Sequence, residues 1–204
     1  MASETRGWGR AAIIGAALIV AQVAIELAMG RPAICTCGRV LLWYGDLFGS
    51  GLSQHIADWY SFTHISHGVV FYGLTKIAAP RAPLWTRLTA ILVLEVGWEV
   101  AENTPVIIDR YRQSALAQGY NGDSVVNSVS DTLFCVLGFW LAWRLPVRWS
   151  FAFVVVSEIA LAVLIHDNLA LNVLQLVHPT EAVSKWQASG GLVGAALTGS
   201  PLPR

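Results

Sequence analysis

Five apolar stretches, separated by turn and charge signals, set the pattern of this chain; they fall at 11–29, 63–79, 84–104, 124–143 and 149–167. The first covers about 19 residues, roughly 28 Å as a helix, which is enough to cross a bilayer core. Pro80-Arg81-Ala82-Pro83 ends the second, Pro105 the third and Arg144-Leu145-Pro146 the fourth, while the turn Asn121-Gly122 precedes the fourth. Runs of this length predict an all-α, polytopic membrane bundle of about five transmembrane helices rather than a soluble helical domain. Tryptophans fall near the ends of the runs, with Trp8, Trp85, Trp143 and Trp149 at one side and Trp59 and Trp186 at the other. That is the aromatic belt of spanning helices. Segments 52–61, 106–112 and 168–177 mix apolar and polar positions and predict short interfacial helices on the outer side. Residues 1–187 read as a single transmembrane domain, and the Gly/Ala/Ser/Pro-rich 188–204 as a disordered tail.

Composition strengthens this picture. Only 13% of the residues are charged and 55% are hydrophobic, against about 25% charged in a typical soluble domain. The formal net charge of zero leaves no electrostatic footprint for nucleic acid, so the expected partner is the lipid bilayer. Arg6 and Arg10 precede the first run, which ends in Gly30-Arg31-Pro32 without a small-residue cleavage site, so it reads as an uncleaved signal anchor. An N-terminus inside puts seven Lys/Arg on the inner side against six outside, with the inner turns short and basic. No internal repeat of transporter type is visible.

The ionisable residues then change the question from fold to chemistry. His64 and His67 open the second run; Glu99 and Glu102 close the third; Asp123 and Asn127 open the fourth; His166, Asp167 and Asn168 close the fifth. Alternation of the spans brings all four groups to the same, outer, membrane face. Glu95, Glu99 and Glu102 share one helix face, as do Asp123, Asn127 and Asp131 with modest drift. Glu95 and Asp131 lie roughly 10 and 12 Å below their outermost partners at 1.5 Å per residue. Ionised carboxylates at such depth are costly, so they must face a cavity or one another. Blander accounts exist for single members: a satisfied histidine pair, Asp123 as a helix cap, and Glu26 and Glu158 as interhelical hydrogen-bond partners.

Together these residue types suit a divalent transition metal held by His64, His67 and Glu99. Glu102 and Asp123 would supply further carboxylates, and His64 or Glu99 a general base. Arg110 and Arg112 suit an anionic headgroup or phosphate, with Asn127, Asp131 and Asn168 as further substrate contacts. The leading expectation is a membrane-embedded hydrolase or transferase acting at the periplasmic face on a lipid or envelope precursor. The alternative is a non-enzymatic subunit or assembly factor whose Cys35/Cys37 loop meets a membrane-protein partner. A proton-coupled carrier using Glu95 and Asp131 is a third class, disfavoured by the missing repeat. The C-x-C spacing of Cys35 and Cys37 is weak evidence for zinc or a redox dithiol, and Cys135 reads as a core residue.

Several of these stretches, taken as a set, resemble a family of uncharacterised bacterial inner-membrane proteins. They are Cys35-Thr36-Cys37-Gly38, Ser53-Gln54-His55 through Asp58-Trp59-Tyr60, His64 with His67-Gly68, and Trp98-Glu99 through Glu102-Asn103-Thr104-Pro105. Arg110-Tyr111-Arg112, Gly119-Tyr120-Asn121-Gly122-Asp123-Ser124 with Asn127-Ser128 and Asp131, and Asp167-Asn168-Leu169 with Asn172 complete the set. The resemblance covers residues 35–187 and implies a plasma-membrane location without a reaction. His166 stands where an arginine is expected. A fainter similarity is to VanZ-like membrane proteins, which also place His, Glu and Asp on successive short spans.

Overall fold

The structure is a computed structural model and describes residues 2–112, 120–188 and 190–198. The regular secondary structure of these residues is helical, with no strand among them. In chain order they are α1 (Ala2–Ala28), α2 (Ser61–Ala78), α3 (Leu84–Glu102), α4 (Pro105–Tyr111), α5 (Val125–Arg144), α6 (Val147–Ile165), α7 (Leu169–Val177), α8 (Glu181–Gln187) and α9 (Gly191–Thr198). Three segments are long and apolar enough to cross a membrane: Glu4–Ala28 of α1, α5 and α6. The helices α2 and α3 have 18 and 19 residues, the same reach, but they carry most of the polar residues of interest. That content separates them from the other three.

The α-helical boundaries have local causes. Pro83 and Pro146 sit at the N-caps of α3 and α6, where a missing N–H costs nothing, and Pro105 occupies the first turn of α4. Ser124 caps α5 by accepting from Asn127 N, and Asn168 caps α7 by accepting from Leu171 N. Glu158 on α6 accepts from Leu169 N and Ala170 N at 3.0 Å each, fastening the start of α7.

The α2–α5 crossing positions the site. A Cβ on Gly68 would overlap the Cys135 carbonyl of α5, and one on Gly138 would overlap the Ile65 carbonyl of α2. The two glycines therefore face each other across a backbone-to-backbone approach, the small-residue packing that serves where lipid removes any hydrophobic drive. α1 packs on α3, α3 also touches α2 and α5, and α6 lies against α2. Below the crossing, Ile91, Cys135 and Phe139 form a dry apolar layer with Phe71, Tyr72, Leu88 and Trp140. The stack of Trp8 on Trp140, centroids 5.7 Å apart, closes that end. Above the crossing the interior is polar.

Two expectations are corrected. Of the segment 52–61, residues 52–60 are not helical but a run of turns and bends, and Ser61 opens α2. Ser53 sits at φ 58°, and the Asp58 carboxylate gathers the backbone N–H groups of Ser53 and Tyr60 at 2.8 Å each, so the backbone bonds to a side chain instead of to itself. The expected tail from 188 onward contains α9, which packs on α6. Gly190 and Gly191 both adopt φ +62°, and a Cβ on Gly191 would meet the Leu164 carbonyl at 2.6 Å. The glycines that read as low complexity are what permit this docking. Residues 199–204 lie outside the described residues.

Candidate functional site

At the polar end, four helices contribute to one buried centre. The α2–α5 approach sets His64 beside Asp131, while α3 brings Glu95 and Glu99 to His64 and His67. His64 Nδ1 lies 2.8 Å from Glu95 Oε1 and 3.1 Å from Glu99 Oε1. His67 Nδ1 lies 3.1 Å from Glu95 Oε2. Glu95 thus receives both imidazoles through the same ring nitrogen. His64 Nε2 is 3.9 Å from Asp131 Oδ2, and Asp131 Oδ1 accepts from Ser61 Oγ at 3.2 Å. Glu95 and Glu99 are 0% and 1% exposed, so none of this is a solvated surface.

Ser128 is the hub between α1, α3 and α5. Its Oγ lies 2.5 Å from Glu26 Oε1 and 2.8 Å from Glu99 Oε2, and it accepts from Gln22 Nε2 at 2.7 Å. The Gln22 orientation is fixed because Thr132 Oγ1 donates to Gln22 Oε1 at 3.0 Å. A hydroxyl has one proton and two lone pairs. Ser128 can therefore donate to only one of the two carboxylates, and the other must bring its own proton. Glu26 fits that part, since among the described residues it makes no ion pair. Glu26 Oε2 and Glu99 Oε1 are buried without a hydrogen-bond partner; the 3.1 Å approach of His64 to Glu99 lacks hydrogen-bond geometry, its Nδ1 being directed at Glu95.

A second polar layer covers the centre. Asn103 Nδ2 and Tyr120 Oη donate to Asp123 at 2.8 and 2.9 Å, and Tyr60 Oη and Gln187 Nε2 donate to Asp167 at 3.0 and 2.9 Å. Burial pushes the Asp167 carboxyl up to about 6 against the pull of those donors, and raises Asp123 for the same first reason. Asp58 is likewise raised by burial.

The expected site residues divide into two groups. His64, His67, Glu99, Glu102, Asp123 and Asp131 gather at the centre or in its cover. They form two overlapping sets of donor atoms within 4.8 Å of one another: His64, His67 and Glu95, and His64, Glu99 and Glu102. The expected ligand trio of His64, His67 and Glu99 is thus split between two sets that share His64, and Glu95 joins it. The other residues hold the scaffold. Asn127 Nδ2 donates to His55 O at 2.9 Å, Arg110 Nε to Leu176 O at 2.9 Å, and Arg112 Nε to Tyr120 O at 2.6 Å. Asn168 caps α7, and His166 stacks on Trp186 with centroids 4.1 Å apart. Asp123 does not cap α5; Ser124 does. Glu26 is an interhelical hydrogen-bond partner as its place in an apolar run suggests, while the part of Ser128, Gln22, Tyr60 and Asn103 in this network goes beyond the sequence reading.

Comparison with known proteins yields one family and several relatives. The profile described as a protein of unknown function, DUF2585, matches residues 26–189. A UPF0314 protein of Sphingopyxis alaskensis is 49% identical over 186 residues, 90% of this chain and 96% of that protein. UPF0314 proteins of Rhizobium etli and Paracoccus denitrificans are each 50% identical, over 84% of this chain and 88% and 90% of their own lengths. These matches do not extend the similarity to VanZ-like proteins. No solved structure matches.

Proposed function

We propose, for a chain that belongs to the DUF2585 family of bacterial proteins, that the buried His/carboxylate centre is a metal site. The protein carrying it is read as a multi-pass inner-membrane enzyme working at the periplasmic face. The N-terminus lies inside, and α2 and α3 span together with the three apolar helices. The carrying observation is the charge balance of the centre. Glu95, Glu99 and Asp131 are buried together, and among the described residues their ion pairs are only with His64 and His67. Buried carboxylates without a lysine or arginine call for protons or a metal ion. The unpartnered Glu99 Oε1 beside His64 is where a cation would relieve that need.

His64, Glu99 and Glu102, with His67 and Glu95 adjoining, would hold a divalent transition metal. Such an ion supplies Lewis acidity and a water of lowered pKa, suited to cleaving or transferring an ester or amide of a lipid or envelope precursor. Glu95 orients both imidazoles, and Ser128 holds Glu99 through its other oxygen, leaving Oε1 available. Metal analysis of protein purified without a polyhistidine tag or chelator tests this. About one equivalent is expected, lost in His64→Ala and Glu99→Gln; less than about a tenth of an equivalent refutes the metal.

One observation favours a non-enzymatic subunit or assembly factor instead. Glu95 and Glu99 are fully buried, whereas one surface pocket runs along α6 at Trp149 and Phe153 and another lies at Arg6, Arg10 and Trp85. Under that reading a stoichiometric membrane-protein partner copurifies and His64→Ala leaves the phenotype intact.

A further inference from the structure

Apart from the buried centre, the described residues hold a cluster of reactive groups in the loop between α1 and α2. Cys35 and Cys37 are joined as a disulfide with one residue between them. Their surroundings are ordered rather than incidental. Val125 N and Val126 N at the start of α5 donate to Pro32 O and Ala33 O, pinning the segment just ahead of Cys35. His55 is brought in from twenty residues away. Leu41 N donates to its Nδ1 at 3.3 Å, and the backbone pairs Ile56 N–Leu41 O and Tyr44 N–Ala57 O hold the two strands of the loop together. The donor atoms of Cys35, Cys37 and His55 lie within 4.8 Å of one another.

The two sulfurs are not equivalent. Cys35 is 4% exposed, whereas Cys37 is open to solvent. Cys37 N donates to Cys35 Sγ at 3.2 Å, a contact that strengthens when Cys35 becomes a thiolate. A bridge over a single intervening residue closes almost the shortest loop available and removes little chain entropy from the unfolded state. Stapling the fold is therefore a poor account of it. The layout matches what exchange needs instead: an accessible sulfur to attack, a leaving sulfur with a donor in place, and an imidazole beside both.

We propose that Cys35 and Cys37, with His55, form a thiol–disulfide exchange site that oxidises a dithiol partner at the membrane surface. The partner's thiolate attacks Cys37 Sγ. The Cys35–Cys37 bond breaks, and Cys35 leaves as a thiolate held by Cys37 N–H and protonated through His55. The partner's second thiolate then attacks its own sulfur of the mixed disulfide and releases Cys37 as a thiolate. Two electrons pass to Cys35 and Cys37 and the partner leaves as a disulfide; the two protons its thiols shed on ionising are matched by one taken up at Cys35 through His55 and one taken up by the exposed Cys37 thiolate from solvent. Burial lowers the His55 pKa, with Asp58 opposing and Arg39 reinforcing that shift, so the ring is neutral at pH 7 and able to relay the proton; Tyr44 is the ring packed against it.

The test uses the full-length oxidised protein in detergent. It is exposed first to glutathione, with the mixed disulfide located by peptide mass spectrometry, and then to dithiothreitol, with the reduction rate followed from pH 5 to 8. Glutathione is expected on Cys37, at least tenfold over Cys35, without denaturant. His55→Gln slows reduction about tenfold and changes the pH profile, as a leaving thiol whose pKa rises by about two units would do. Glutathione on Cys35, or reduction that requires unfolding, overturns the proposal, and neither readout needs a variant. An unchanged rate and pH profile in a folded His55→Gln protein removes His55 from the site. The metal reading stands apart, because His64→Ala leaves the exchange unchanged.

Discussion

Replacing Ser128 with alanine removes the one atom that Gln22, Glu26 and Glu99 share. Each partner then stays buried without that contact, Gln22 keeping only the Thr132 hydroxyl on its other end. An unsatisfied buried polar group costs about 1–3 kcal/mol, and the small cavity left by the hydroxyl does not offset it. Three such groups at the low to middle of that range give about 4 kcal/mol, a large share of the 5–15 kcal/mol that a domain of this kind has. The proton count at Ser128 makes the companion prediction sharper. If Glu26 brings the second proton, Glu26→Gln puts an amide N–H where the carboxyl O–H stood and preserves the pattern, so it costs less than about 1 kcal/mol. Reversible unfolding in mixed micelles, followed through the nine tryptophans, measures both at pH 7. A Ser128→Ala cost below about 1 kcal/mol, or a Glu26→Gln cost equal to it, would refute the reasoning.

Three further outcomes are expected. Because the Asp167 carboxyl is raised from 3.8 to about 6 in the folded protein, the folded state binds the extra proton. Asp167 therefore adds stability as pH falls from 7 through 6 toward 4, by up to about 3 kcal/mol, and Asp167→Asn removes that part of the slope in a thermal melt, leaving the share of Asp123 and Asp58. Gly138→Val forces α2 and α5 apart at the Ile65 carbonyl. It should cost about 3 kcal/mol or more and disturb the centre, seen as a loss of any bound metal in the folded fraction. Glu158→Ala frees the first N–H groups of α7 and should cost about 1–2 kcal/mol, with faster amide exchange confined to α7; uniform exchange would contradict the assignment.

Much of this architecture is legible in the sequence, for identifiable reasons. Apolar run length marks α1, α5 and α6 directly, and proline and glycine punctuation marks α2 and α3 even though their histidines and glutamates dilute the signal. Helical spacing collects His64, His67, Glu95, Glu99 and Asp131 because those residues repeat along single helices. Glu26 with Ser128 escapes the same logic, since the pair is separated by 102 residues and nothing periodic links them. Segment 52–61 has the composition of an interfacial helix, but Asp58 competes for its backbone N–H groups and wins. α9 is misjudged because glycine lowers helix propensity locally, while the close docking it permits on α6 is a tertiary effect that composition does not carry.

The glycine crossing of α2 on α5 has a consequence for biogenesis. A helix bearing His64, His67 and Lys76, or Arg87, Glu95 and Glu99, partitions poorly into lipid by itself, since a single charged residue at mid-bilayer costs about 2.5–3.5 kcal/mol on insertion scales. On the proposed reading in which α2 and α3 span, the turn at 79–83 is short enough for them to enter as one hairpin, with His64 and His67 facing Glu95. The remaining stabilisation waits for α5, which is synthesised later and docks only where Gly68 and Gly138 let two backbones meet. Until that contact forms, the half-made bundle is the species that quality-control proteases would see.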